Sequence, residues 1–203
     1  MRAGRPARGA AAVATALAVA LPLFLSGPAG ADGAGAPEKA QLCAACHGPE
    51  GNSTNPAVPS IAGQPAQFIS TELFLFRQGS RNDPQMTSVA KTLSNADMNE
   101  LAAYFSAQKP PPPKHRTAAQ NAVAGAELAR RLNCVQCHGP RLLGQQHIPR
   151  LAGQQPDYLR VQLLGFKAHT RADIDGNMTS AAEPLTEKDI EVLVDYIAGL
   201  GTQ

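Results

Sequence analysis

Cys43-Ala44-Ala45-Cys46-His47 and Cys134-Val135-Gln136-Cys137-His138 are two copies of one pattern, two cysteines three apart with histidine directly after the second. This is the attachment signature of c-type haem. Each thiol adds to one vinyl group of the porphyrin, so both sulfurs must reach one ring edge from a single helical turn. The adjacent His then lies under the iron and supplies the proximal nitrogen ligand. A zinc site, a thioredoxin-like redox pair and disulfides compete with this reading. Zinc takes four convergent ligands, yet some ninety residues separate the two pairs and each carries His immediately after. A redox pair needs neither a second copy nor a following His in both. The chain has four Cys, all consumed by the two motifs, so none remains for a disulfide.

Outward from the motifs the sequence repeats itself. Cys-x-x-Cys-His-Gly-Pro occurs at 43–49 and 134–140. Pro59-Ser60-Ile61-Ala62-Gly63-Gln64 matches Pro149-Arg150-Leu151-Ala152-Gly153-Gln154, and Met86-Thr87-Ser88 matches Met178-Thr179-Ser180. Phe68 falls on Tyr158, Leu73 on Leu163, Phe76 on Phe166, and Tyr104 on Tyr196. Between the halves, Lys109-Pro110-Pro111-Pro112-Pro113-Lys114 reads as an extended polyproline linker. Two duplicated domains follow, 32–108 and 118–203, joined by the linker 109–117. Apolar spacing predicts helices over 67–79 and 157–168, a helix over 122–132 leading into the second motif, and closing helices that begin at Ser94 and Thr186. Asp97 and Asp189, three residues on, complete candidate caps. The segments between each motif and Pro59 or Pro149 are rich in Gly, Pro and Asn and read as loops. No stretch shows strand alternation, so the expected class is all-α.

Iron held by one His needs a sixth ligand or stays open for chemistry. Met86 and Met178 recur at matching positions, after turns at Asp83-Pro84-Gln85 and Asp175-Gly176-Asn177, and both read as loop residues. Thioether sulfur suits low-spin iron, and His/Met ligation raises the reduction potential. A Met can also merely fill a core gap, the role expected of Met98, which aligns with Ile190. Of His115, His147 and His169, none recurs in the other half, and all three read as solvated side chains. Pro59 and Pro149 sit where a backbone carbonyl orients a ligating His; rigidifying a loop is the plainer role. Arg77 with Arg81, and Lys167 with Arg171, lie four apart and read equally well as partners of haem propionates or as a solvated basic face.

Composition agrees. Across 203 residues hydrophobic types make up 43%, but Trp is absent and aromatics reach only 4%. Cores so poor in aromatic bulk need a buried cofactor to be complete. The formal charge is +2; without Arg2, Arg5 and Arg8 the balance is 15 basic residues against 16 acidic, so a nucleic-acid partner finds no support. Those arginines, the apolar stretch 10–25 and Ala29-Gly30-Ala31 read as a secretory signal over 1–31, cleaved near Ala31. An uncleaved anchor is the alternative, but the run is short for a span and Pro22 interrupts it.

The duplicated Cys-x-x-Cys-His-Gly-Pro, Pro-x-Ile/Leu-Ala-Gly-Gln and Met-Thr-Ser pattern, with its closing helix, resembles the diheme cytochrome c4 family over essentially the whole mature chain. The resemblance implies two tandem class I cytochrome c domains, each wrapped round one covalently attached haem c and related by a pseudo-twofold axis. It implies axial ligands His47 and Met86 for the first haem and His138 and Met178 for the second, with Pro59 and Pro149 orienting the histidines. It also implies a periplasmic electron carrier rather than an enzyme, often membrane-associated. Such a carrier takes electrons from a quinol-oxidising complex or dehydrogenase and passes them to a terminal oxidase of the respiratory chain. A diheme subunit of a dehydrogenase, flavocytochrome-like, shares this architecture, and a diheme peroxidase is the enzymatic alternative. One departure is the trimmed loop before Pro149, where Arg141-Leu142-Leu143 replaces Glu50-Gly51-Asn52-Ser53; it alters the surface round the second haem.

Overall fold

The closing helix of each half shows why the chain folds as it does. Met98, Leu101, Ala102 and Phe105 are buried on one, and Ile190, Leu193, Val194 and Ile197 on the other, each at i, i+3, i+4, i+7. That spacing is one face of an α-helix, and each large side chain so buried contributes roughly 1.5–3 kcal/mol. The computed structural model describes residues 37–202, together with 1, 3 and 4. The expected signal over 1–31 therefore lies outside the described residues apart from those three.

Nine α-helices are described. The first half has α1 (Glu38–His47), α2 (Ala66–Gln78), α3 (Pro84–Ala90) and α4 (Asn95–Ala107), with a 3₁₀ turn at Pro49–Gly51. The second half has α5 (Ala119–Arg131), α6 (Cys134–His138), α7 (Pro156–Lys167), α8 (Asn177–Ala182) and α9 (Glu187–Ala198). Among the described residues there is no strand, only one isolated bridge between Gln145 and Ile148, so the fold is all-α. Helix packing repeats between the halves: α2 lies on α4 and α3, and α7 on α9 and α8. Each half has its own buried cluster, one around Leu101 and Phe105, the other around Leu193 and Ile197.

Helix ends follow local chemistry. Ser94 caps α4 and Thr186 caps α9 as full capping boxes with Asp97 and Asp189. Gly79, in the left-handed conformation, ends α2. The haem motifs differ in their entry. In the first half α1 runs unbroken through Cys43 and Cys46 to His47. In the second, Asn133 at φ 60° breaks the chain between α5 and α6, a conformation that Asn tolerates better than most residues. The α5–α9 crossing is close at Gly125, where a Cβ would stand 2.2 Å from Tyr196.

One sequence expectation changes here. Met86 and Met178 lie in the first turns of α3 and α8 rather than in loops: Asp83 caps α3 and accepts from Met86 N–H, while α8 begins after left-handed Gly176 with Asp173 accepting from Met178 N–H. The proline-rich stretch 109–117 carries no helix but is tied down. Thr202 donates to Pro111 O, and Asn52 to Lys109 O.

Candidate haem sites

Each site grows from one helical turn. Cys43 and Cys46 lie on α1, and Cys134 and Cys137 on α6. In both halves the first thiol is half-buried and the second exposed, and none of the four is in a disulfide. Burial pushes the Cys43 and Cys134 thiols above their ordinary value. That is the opposite of what activates a redox dithiol.

The following histidines are buried, His47 at 7% and His138 at 4% exposure. His47 Nδ1–H donates to the Pro59 carbonyl at 2.8 Å, and His138 Nδ1–H to the Pro149 carbonyl at 2.9 Å. With Nδ1 so committed, Nε2 is the nitrogen available to iron. Burial pushes both imidazoles below their ordinary value, against the raising effect of the two carbonyls. Neutral imidazole is the form that binds metal.

The loop that delivers each proline is pinned by one carbonyl. Gly51 O accepts from Ile61 N and Ala62 N, and Leu142 O accepts from Leu151 N and Ala152 N. Gly51 sits at φ 82°, where a Cβ would meet Ile61 and Phe105 below 3 Å. In the second half the same job falls to Leu142 at φ 56°, buried at 1%. The trimmed loop thus keeps its geometry with a leucine that fills core space, at the strain of a left-handed non-glycine residue.

Met86 and Cys43 pack against one buried cluster, and Met178 and Cys134 against the other. Each Met therefore belongs to the same half as a matching Cys-x-x-Cys-His. Met98 and Ile190 are core residues at 3% and 1% exposure, as their alignment predicts.

Other polar residues depart from the sequence reading. His115 is held by Asp195 at 2.7 Å and His147 by Asp175 at 3.1 Å, so neither is simply solvated. Arg81 and Arg171 are not a solvated basic face. They stack on Phe76 and Phe166, each 4.4 Å from the ring centroid, and meet where the halves touch. Arg81 pairs with Glu72 and donates to Tyr158 and Gln162, and Arg171 lies 3.6 Å from Glu72. Arg77 donates to Leu93 O and Lys167 to Glu183 O, which ties α2 and α7 to the loops before α4 and α9.

The residues present fit a covalently held haem in each half. Two thiols on one turn and a buried, oriented imidazole recur identically. Two buried guanidinium nitrogens, Arg150 Nε and Arg171 Nε, meet no acceptor among the described residues. A group bearing carboxylates, as haem does, supplies acceptors of that kind. Sequence reasoning missed Gln64, Gln154, Ser60 and Arg150, all 2–4% exposed and all hydrogen-bonded between the halves. The signal was present in the duplicated Ala-Gly-Gln, whose glutamines recur with no role in holding iron.

The family model for cytochrome c matches residues 34–109 and again 122–201. Cytochrome c4 of Pseudomonas aeruginosa is 35% identical over 192 residues, covering 89% of this chain and 95% of that protein. A thiosulfate dehydrogenase electron acceptor of Thiomonas intermedia is 36% identical and covers 98% of this chain and 94% of its own. The crystal structure of reduced cytochrome c4 from Pseudomonas stutzeri superposes with a TM-score of 0.74 at 34% identity, covering 80% of this chain and 95% of that one. With the motif, the helices and the histidine geometry all doubled in one chain of matching length, this protein belongs to the diheme cytochrome c4 family and is an electron-transfer protein with two covalently bound haems c.

Proposed function

We propose that the chain is a periplasmic one-electron carrier that delivers electrons to a terminal oxidase of the respiratory chain. Its donor is a quinol-oxidising complex or a dehydrogenase, and residues 1–31 are its export signal. In this reading Cys43 with Cys46 and Cys134 with Cys137 attach the haems, and His47 with Met86 and His138 with Met178 are the axial ligands. Pro59 and Pro149 orient the histidines. Bound haem iron supplies reversible one-electron chemistry. The chain's own residues hold the ring, fix the imidazole tautomer and exclude water.

The observation that carries the reading is the doubled ligand set. In each half a buried, oriented His and a Met lie in the half whose cysteines attach the ring. Two protein ligands per iron leave no position for peroxide or oxygen, and a ligand set that stays the same in both oxidation states suits fast transfer.

A second reading is favoured by one observation, the similarity to the electron acceptor of a thiosulfate dehydrogenase. There the chain is the electron-accepting partner or diheme subunit of a dehydrogenase. Mixing the reduced protein with oxidase-containing membranes, and separately with peroxide, tests the first reading. Oxidation by the membranes without peroxide turnover is expected. Peroxide turnover at enzymatic rates with no electron delivery to the oxidase would refute the carrier in favour of a peroxidase. Co-purification with a dehydrogenase subunit, and reduction by it, selects the second reading.

A further inference from the structure

We propose that the Gln64 and Gln154 amides act as crossed positioning groups, each tuning the axial histidine, and thereby the reduction potential, of the opposite half's haem. The inference rests on the assignment of His47 and His138 as iron ligands.

The geometry runs through single peptide units. The Pro59–Ser60 peptide accepts from His47 Nδ1–H through its carbonyl, and its N–H, on Ser60, donates to Gln154 Oε1 at 2.8 Å. The Pro149–Arg150 peptide accepts from His138 Nδ1–H, and its N–H, on Arg150, donates to Gln64 Oε1 at 2.9 Å. Each glutamine closes a second bond on the same partner residue: Gln154 Nε2 donates to Ser60 O and Gln64 Nε2 to Arg150 O, both at 2.9 Å. The two-point clamp settles which end of each amide faces which group, because a flipped amide would set N–H against N–H.

Both glutamines are buried, Gln64 at 3% and Gln154 at 4% exposure, so water does not compete for these peptides. Hydrogen bonds in series polarise one another in such surroundings. An N–H that donates makes the carbonyl of its own peptide a stronger acceptor. A stronger acceptor on Nδ1–H makes the imidazole a more basic ligand, which favours ferric iron and lowers the potential. Removing a glutamine weakens that chain and raises the potential of the haem in the other half. A clamp that served docking alone would have no such preference for one haem.

The test uses the holoprotein and follows each haem's potential separately by NMR, through resolved haem methyl resonances. Gln154→Leu should raise the potential of the haem at Cys43 and Cys46 more than that of its partner, and Gln64→Leu should do the reverse. Where a leucine variant does not fold, Gln154→Asn and Gln64→Asn withdraw the amide more gently and carry the same crossed expectation. Equal shifts of both haems, or a larger shift of the haem in the mutated half, overturn the inference. Failure of the ligand assignment would show already in the unmutated protein, as missing hyperfine-shifted imidazole protons of His47 and His138, and would overturn both.

Discussion

Met86 and Met98 are twelve positions apart and chemically identical, yet their surroundings separate their roles. Met98 is 3% exposed among Leu101, Ala102 and Phe105 on α4. Met86 is only half-buried and, like Cys43, packs against the first half's buried cluster. Thioether ligation stabilises ferrous over ferric iron. Met86→Ala should therefore lower the potential of the first haem and leave a high-spin iron, seen in redox titration and in the loss of half the Met-to-iron charge-transfer absorption. Met98→Ala should leave both potentials in place and cost about 2–5 kcal/mol of stability in denaturant unfolding. Survival of the full absorption in Met86→Ala would remove Met86 from the ligand set.

At the scale of the helix, α4 is started by a small electrostatic cluster. Asp97 accepts from Lys39 Nζ at 2.6 Å and from Ser94 N and Oγ at 2.7 Å, and Ser94 Oγ accepts from Asp97 N at 3.1 Å. Lys39 first, then the Ser94 groups, lower the Asp97 carboxyl to about 2. A folded value below the unfolded one means the stabilisation is whole above the ordinary carboxylate range and is lost as pH falls through the folded value. Part of the acid loss of stability between about pH 4 and pH 2 should therefore vanish in Asp97→Asn, measured by unfolding at stepped pH. Ser94→Ala should cost about 1 kcal/mol at neutral pH, as other lost N-caps do. A pH profile unchanged by Asp97→Asn would show that other carboxylates set the acid limit.

Across the whole molecule, the halves meet through polar groups that are largely shielded from water. Glu72 stands between two guanidiniums, paired with Arg81 and 3.6 Å from Arg171, and the side chains are only 10–14% exposed. The repeat places Gln162 where the first half has Glu72, so one carboxylate serves both arginines. Burial depresses Arg171, and the nearby Arg81 adds to that, against the raising effects of Tyr158 and Glu72. Glu72→Gln would leave two like charges facing each other without their shared counter-ion. Breaking a buried pair in this way costs about 3–5 kcal/mol. Calorimetry should show a lower midpoint, and cleavage near the 109–117 stretch should quicken as the halves part. An unchanged midpoint would mean that the glutamine clamps and Phe stacking hold the halves by themselves.

The haem motifs, the duplication, the capping boxes and the amphipathic closing helices were all legible in the sequence, because each depends on groups within a few residues of one another. Covalent attachment demands Cys-x-x-Cys-His on one turn, and burial of a helix face demands i, i+3, i+4, i+7. The helical setting of Met86 and Met178 was less legible, since those helices run only seven and six residues and start differently, one at an Asp83 cap and one at left-handed Gly176. The contacts between the halves belonged to the tertiary structure alone. Gln64 reaches Arg150 across 86 positions, and Gln154 reaches Ser60 across 94. Nothing in local spacing tells a glutamine whose backbone it will bond. That is decided when two packed halves shut out water and every buried N–H and C=O at the seam must find a partner in protein.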